Sequence, residues 1–266
     1  MRIIHLPVFL FVLLGLGTSC LSAQQKMDVV SIDSIYGMAV GSESETIKTI
    51  MERAVNEARI KALREAGIHE SIHSYSAFFQ SETRQEYEEL FASDILTDMR
   101  GAVKHVHVFD TKKTFTSDGM PRVEVWINCE VVKYTSKPDP AFVFEASGVK
   151  PVYQHNDRLE FSVRPHQNGY LRAFVFTGDE AFQVFPNEYE ASFELAAGET
   201  VVFPKEAELI LETDEESEMH RLLLVFLKQD IPYVQDVDYK EIFDWLFSIP
   251  PDQRALKTFS FSVTGG

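Results

Sequence analysis

Six consecutive apolar residues, Leu222-Leu223-Leu224-Val225-Phe226-Leu227, place the tightest constraint on the fold. A strand points successive side chains to opposite faces, so a strand with no polar position has no face to offer to water. The run is far too short to cross a bilayer as a helix. It therefore predicts a central strand covered on both sides.

The sequence around it supplies the cover. Short segments with strand character recur between turn signals at Arg158 to Arg164, Tyr170 to Thr177, Ala181 to Phe185, Thr200 to Phe203, Glu208 to Glu212, Arg221 to Lys228 and Leu256 to Val263. Spacing of this kind implies a β-sandwich or barrel. Asp238-x-x-Glu241 caps one helix, Tyr239 to Phe247, which stops before Pro250-Pro251. The aromatics Tyr170, Phe174, Phe176, Phe182 and Phe185 are interleaved with aliphatics, a pattern of sandwich core; a carbohydrate platform would need them on the outside.

Upstream, Tyr134-Thr135-Ser136-Lys137-Pro138-Asp139-Pro140 reads as a linker, because two nearby prolines interrupt any hydrogen-bonded ladder. Residues 24–137 before it read as an α+β domain of two helices on a small sheet, and residues 138–266 as a mainly-β, sandwich-like domain with one helix. Ser42-x-x-Glu45 reads as a capping box, followed at helical spacing by Ile47, Ile50, Met51, Ala54, Ala58, Ala62 and Ala66 up to Gly67, a C-terminal stop. Its alanine stripe would let this helix lie close against a sheet. A second helix is expected from Thr83 to about Met99. Val123, Val125, Ile127, Cys129 and Val131 share one face of a strand over Val123 to Val132. Ala102 to Asp110 is its expected partner through the turn Thr116-Ser117-Asp118-Gly119, and an opening strand is expected near Val29 to Tyr36.

Residues 1–23 have the parts of a secretory signal: Arg2, the apolar run Leu6 to Leu16, and a small-residue exit at Leu21-Ser22-Ala23. We therefore expect a periplasmic or secreted protein with no transmembrane span. Cys20 would carry an outer-membrane lipid anchor, but Gly17 stands where a lipobox has Leu. With the signal removed Cys129 stands alone, so stability must come from the core rather than an intrachain disulfide. The net charge of −16 argues against nucleic acid and anionic lipid as partners, since no Lys/Arg cluster offsets it. Acid concentrates at Glu212 to Glu218, which lacks the Gly and ligand spacing of an EF-hand and is expected to be a solvated loop.

Two segments carry resemblances. Gly169-Tyr170-Leu171-Arg172-Ala173-Phe174-Val175-Phe176, the turn Phe185-Pro186-Asn187, and Ala197-Gly198-Glu199-Thr200-Val201-Val202-Phe203-Pro204 together resemble the bacterial domain family DUF4384. That resemblance implies a module but no reaction. Ala54-x3-Ala58-x3-Ala62-Leu63 with the Gly67 stop, then Ser74, Arg100-Gly101 and the two strands ending at Val132, resemble the small envelope domain of LPP20-type lipoproteins and of FlgT-like N-terminal regions. The second implies an envelope domain, and with the signal the two lead to the expectation of an exported protein that works by binding a partner in the cell envelope.

Several patterns invite a catalytic reading. His69-Glu70-Ser71-Ile72-His73 spells H-E-x-x-H, in which two histidines one helical turn apart bind zinc and the Glu polarises its water. It begins two residues after the expected helix stop, and Ser76 and Phe79 occupy the Gly and third His positions of the longer metzincin form; Glu88 or Glu89 could supply a downstream ligand. A zinc-dependent hydrolase is thus the alternative function, and a glycan-binding β module a third. His105-x-His107 puts two imidazoles on one strand face without a third ligand, and Cys129 sits on an apolar face. No G-x-S-x-G, G-x-G-x-x-G or phosphate-loop pattern occurs. The expectation is a non-catalytic interaction module without catalytic residues, metal ligands or cofactors.

Overall fold

In a computed structural model of the chain, residues 27–69, 101–177, 180–206 and 208–265 are described. The expected signal, Cys20, Glu70 to His73 and the expected helix at 83–99 lie outside them.

The N-terminal half is a helix on a three-stranded antiparallel sheet. Strands β1 (Met27–Val40), β2 (Gly101–Phe115) and β3 (Pro121–Tyr134) form it in the order β1-β3-β2, and helix α1 (Ile47–Glu65) packs on β1 and β3. All three strands run longer than their apolar alternation alone suggested. Val123, Val125, Ile127, Cys129 and Val131 are buried as a set. The expected capping box is built differently. The Glu45 carboxylate accepts from the Ser42 amide at 2.6 Å, but the helix starts later, with Thr46 as its cap and Thr46 Oγ1 accepting from the Thr49 amide at 3.2 Å. The box orders the turn that leads into the helix.

At its other end α1 stops where Gly67 requires. Gly67 has φ +84°, the Ile68 amide donates to the Leu63 carbonyl and the Gly67 amide to the Arg64 carbonyl, both at 2.9 Å. These are the paired bonds of a Schellman motif, completed by burial of both Leu63 and Ile68. Along its length Ala54, Ala58 and Ala62 are fully buried.

The C-terminal half is a sandwich. Strands β5 (Val152–Gln154), β7 (Gly169–Phe176), β8 (Ala181–Phe185), β9 (Glu194–Leu195), β11 (Ser217–Leu227) and β12 (Arg254–Thr264) make the larger sheet, ordered β5-β12-β11-β7-β8 with β9 also pairing β7. Strands β10 (Val201–Phe203), β6 (Phe161–Pro165) and β4 (Phe144–Ser147) make the smaller one. The run Leu222 to Leu227 is the middle of β11, between β7 and β12, and all six residues are 0% exposed. Its even members, Leu222, Leu224 and Phe226, join Phe144, Phe161, Val163 and Phe203 in the core between the sheets. Its odd members, Leu223, Val225 and Leu227, join Phe174, Phe176 and helix α2 (Tyr239–Phe247) on the other face. The strand is apolar throughout because it serves two cores, each buried Leu or Phe contributing about 1.5–3 kcal/mol of transfer free energy.

Helix α2 begins as its sequence indicates, with Asp238 Oδ1 accepting from the Glu241 amide at 2.9 Å. Its core does not end at the linker. The same cluster takes in Ile242, Phe243 and Leu246 of α2 and Ala58, Leu63 and Ile127 of the N-terminal half. Tyr134 Oη donates to the Ser248 carbonyl at 2.6 Å and Lys228 Nζ meets Asp139 at 2.6 Å. Arg172 is fully buried within the large sheet; it donates to Ser192 Oγ at 2.9 Å and to its own neighbour's carbonyl, Leu171 O, at 2.8 Å, and it pairs with Asp230.

One expected strand is not formed. Residues 208–212 are a strap that meets the sandwich through a single antiparallel bridge, Ile210 to Arg158. The Leu159 amide donates to Leu209 O, the Leu211 amide to Asp157 O and the Asn156 amide to Leu211 O, at 2.8–2.9 Å. Polar anchoring to the 155–159 turn replaces a ladder.

Candidate functional site

The strap and the inner face of the large sheet enclose a cleft of about 780 Å³ at the β8 edge of the sandwich. Its floor is apolar: Val175, Phe182 and Val184 from β7 and β8, with Leu209 and Leu211 from the strap. Phe182 faces the cleft side because it pairs with Val175, whose side chain belongs to the inter-sheet core. The smaller sheet reaches β8 at Phe185, whose ring centroid lies 4.7 Å from that of Phe203, while Phe182 is 46% exposed.

The turn after β8 is rigid for a local reason. Asn187 Oδ1 accepts from the amides of Tyr189 and Glu190, both at 2.9 Å, and Asn187 Nδ2 donates to the Val184 carbonyl at 2.8 Å. This is the hydrogen-bonding habit of Asn in turns. It holds Glu188 and Tyr189, the latter 68% exposed, on the rim. On the opposite rim the strap turns at Thr213, whose amide donates to His155 Nδ1 at 3.2 Å, and whose Oγ1 accepts from the Glu215 amide at 3.1 Å. Glu208 is tied to Arg158 at 2.9 Å.

The electrostatics of the cleft are one-sided. Glu180 and Glu188 on the β8 side face Glu208, Glu212, Asp214 and Glu215 on the strap, with Glu218 at the base, and no Lys or Arg lines it. Carboxylates crowded along low-dielectric walls focus a negative potential. His220 lies on the floor beside Glu218, its Nε2 3.0 Å from the Glu218 carboxylate. An ionised carboxylate only accepts, so Nε2 carries the proton; in the neutral ring Nδ1 is then an acceptor. That Nδ1 is buried and has no hydrogen-bond partner. The cleft thus presents carboxylates and apolar surface, and neither Lys nor Arg.

The residues singled out from sequence lie elsewhere. His69 is exposed, four residues beyond the end of α1, so α1 does not carry it; Glu70 and His73 lie outside the described residues. His105 and His107 are both exposed, opposite Val106 and Val108, which pack against the core. A register shift between Lys104 and His107, with His105 at φ +52°, interrupts the alternation, and His105 Nδ1 meets Glu130 at 2.9 Å. Among the described residues no three His, Cys, Asp or Glu are grouped to hold a metal. Cys129 is buried, and burial pushes its thiol up to about 11. Phe174, Phe176 and Phe185 are core and Tyr170 is half-buried against it; Phe182 departs from the expected pattern.

The cleft itself went unseen in the sequence. Its two rims were legible separately, the Phe-Pro-Asn turn as a turn and Glu212 to Glu218 as a solvated loop. No local pattern indicates that the two face each other across some 25 residues.

A second, smaller crevice of about 350 Å³ lies between Ala102 to His105 of β2 and Gln235, Glu241, Asp244 and Trp245. Burial pushes the Asp244 carboxyl up to about 6, against the opposing pull of Arg59 and Lys240.

Residues 152–221, from β5 into β11, match the family model described as a domain of unknown function (DUF4384). The match includes the Asn187 turn, the strap and most of the cleft lining. The bonds Phe185-Pro186 and Phe203-Pro204 within it are both cis. No curated protein matches the chain. No described helix is long and apolar enough to cross a membrane.

Proposed function

We propose that the protein is exported to the cell envelope and acts there without catalysis, by holding a protein partner in the acidic cleft of its DUF4384-matching region. The observation that carries this reading is the cleft: an open, ordered depression with apolar floor, exposed Phe182 and Tyr189, and seven carboxylates without Lys or Arg among its lining residues. Exposed aromatics beside a concave floor are what a docking surface offers. A signal-like N-terminus and the envelope-type pattern of the α1 alanines support the location.

The test is a photo-crosslinking amino acid placed at Tyr189 on the cleft rim, and separately at Val234, which is 83% exposed and does not line the cleft. In cells that make the protein, position 189 should form a discrete adduct with an envelope protein and position 234 should not. Equal adducts at both positions, or none at either, would sink the reading. The competing zinc-hydrolase reading requires one zinc per chain that is lost in His69→Ala and in His73→Ala; elemental analysis of the purified chain decides it.

A further inference from the structure

Resting on that reading, we infer that the occupant of the cleft is a basic, extended stretch of polypeptide that pairs with the β8 edge. Three independent features of the cleft select it. The first is charge. Glu188, Glu212, Asp214 and Glu215 stand on facing rims, and the lining contains no Lys or Arg, so an occupant bearing Lys or Arg is attracted while an anionic one is repelled.

The second is the hydrogen-bonding deficit. Nδ1 of His220 has no hydrogen-bond partner, and His220 is 2% exposed on the cleft floor. A buried polar atom without a partner costs free energy until one reaches it. A peptide main chain carries both N–H donors and C=O acceptors and can satisfy that nitrogen.

The third separates a polypeptide from a small polyamine. β8 is the outermost strand on its side of the large sheet, and its residues Phe182, Gln183 and Val184 line the cleft. An edge strand presents main-chain groups that another extended chain can pair with, and a chain laid there sends alternate side chains to the cleft floor. A polyamine has no main chain to pair.

The purified full chain is titrated by fluorescence anisotropy with a labelled peptide of about ten residues alternating Lys and Thr, a length that matches the reach of ordinary strands. We expect saturable binding that weakens at least about ten-fold between roughly 50 and 500 mM salt, because exposed charges are screened over that range. The triple variant Glu188→Gln, Glu212→Gln, Glu215→Gln is isosteric and on the surface, and should fold with unchanged circular dichroism while losing at least about ten-fold in affinity. Undiminished binding by that variant overturns the inference, as does equal binding of the Glu/Thr counterpart peptide. Displacement by spermine or by calcium at equal concentration would assign the cleft to a small cation, and binding of a neutral oligosaccharide in place of the peptide would assign it to a glycan; either result overturns a polypeptide occupant. A Tyr189 adduct to a partner without a basic stretch overturns the inference and leaves the binding function standing, whereas loss of adduct and peptide binding together removes both.

Discussion

At the scale of single residues, two buried groups show how position decides chemistry. Cys129 shares the apolar face of β3 with Val125, Ile127 and Val131, and that burial, only partly opposed by Arg59, holds its thiol protonated at neutral pH. A thiolate is the reactive form, so Cys129 should resist dithionitrobenzoate in the native protein and add one equivalent of colour, absent from Cys129→Ser, only on unfolding in guanidinium. Rapid labelling under native conditions would show the strand face to be open. Asp244 is the opposite case, a carboxylate that folding leaves half-buried on α2. Its folded pKa of about 6 lies above the ordinary value of 3.8, so the folded state binds its proton more tightly than the unfolded chain does. The resulting contribution is fully favourable below the unfolded value and is lost as pH rises through about 6, above which an ionised Asp244 costs stability. Asp244→Asn should therefore be more stable than the parent at pH 7.5 by about 1–3 kcal/mol, the difference fading by about pH 4. Urea midpoints at the two pH values check it, and a variant less stable at pH 7.5 would mean that Arg59 and Lys240 outweigh the desolvation.

Among the elements, α1 shows how a sequence pattern becomes a packing distance. Its alanine stripe implied a close approach, and β1 supplies the other half of the fit in Gly37, where a Cβ would lie 2.0 Å from the Ala54 carbonyl oxygen and 2.8 Å from the Ala58 Cβ. The obstructing atom is helix backbone, which cannot rotate away. Gly37→Ala should lift α1 from the sheet and lower stability by about 3 kcal/mol, read as a fall in urea midpoint with the slope unchanged. An unchanged midpoint would mean that the helix is not seated as described. The alanines were visible in sequence because they recur within one element; Gly37 was not, because its partner is some twenty residues away. The same division runs through the rest of the chain. The limits of β8 and α2 follow from local turns and caps, and the odd and even faces of β11 from period two. The short β4, β5 and β9 carry too few residues for a pattern, and the segment 208–212, with Leu209, Ile210 and Leu211 in a row, looks like a strand although its hydrogen bonds go to a turn. The cleft lies at the far end of this scale. Each rim is a local motif, but their facing requires β7, β8 and the strap to be placed by the whole sandwich.

For the whole molecule, the question is whether the proline-rich linker separates two stability units. The packing argues for coupling: one apolar cluster contains Leu63 and Ile127 from one side of Pro138 and Phe243, Leu246 and Val225 from the other, and Tyr134 reaches the Ser248 carbonyl at 2.6 Å. Contacts that both halves need to remain buried make each half's unfolding expose part of the other's core, the physical condition for a cooperative transition. The chain is suited to the measurement because its two tryptophans fall one in each half, Trp126 in β3 and Trp245 in α2. With Trp126→Phe only Trp245 reports, and with Trp245→Phe only Trp126 does. Thermal unfolding followed by the remaining tryptophan should show each variant's fluorescence transition coinciding with its own far-ultraviolet circular dichroism transition. Gly37→Ala, which acts on the N-terminal half, should shift the Trp245 transition as well as the Trp126 one. If it moves only the Trp126 signal, the shared cluster does not couple the halves, and the linker marks two units that unfold independently.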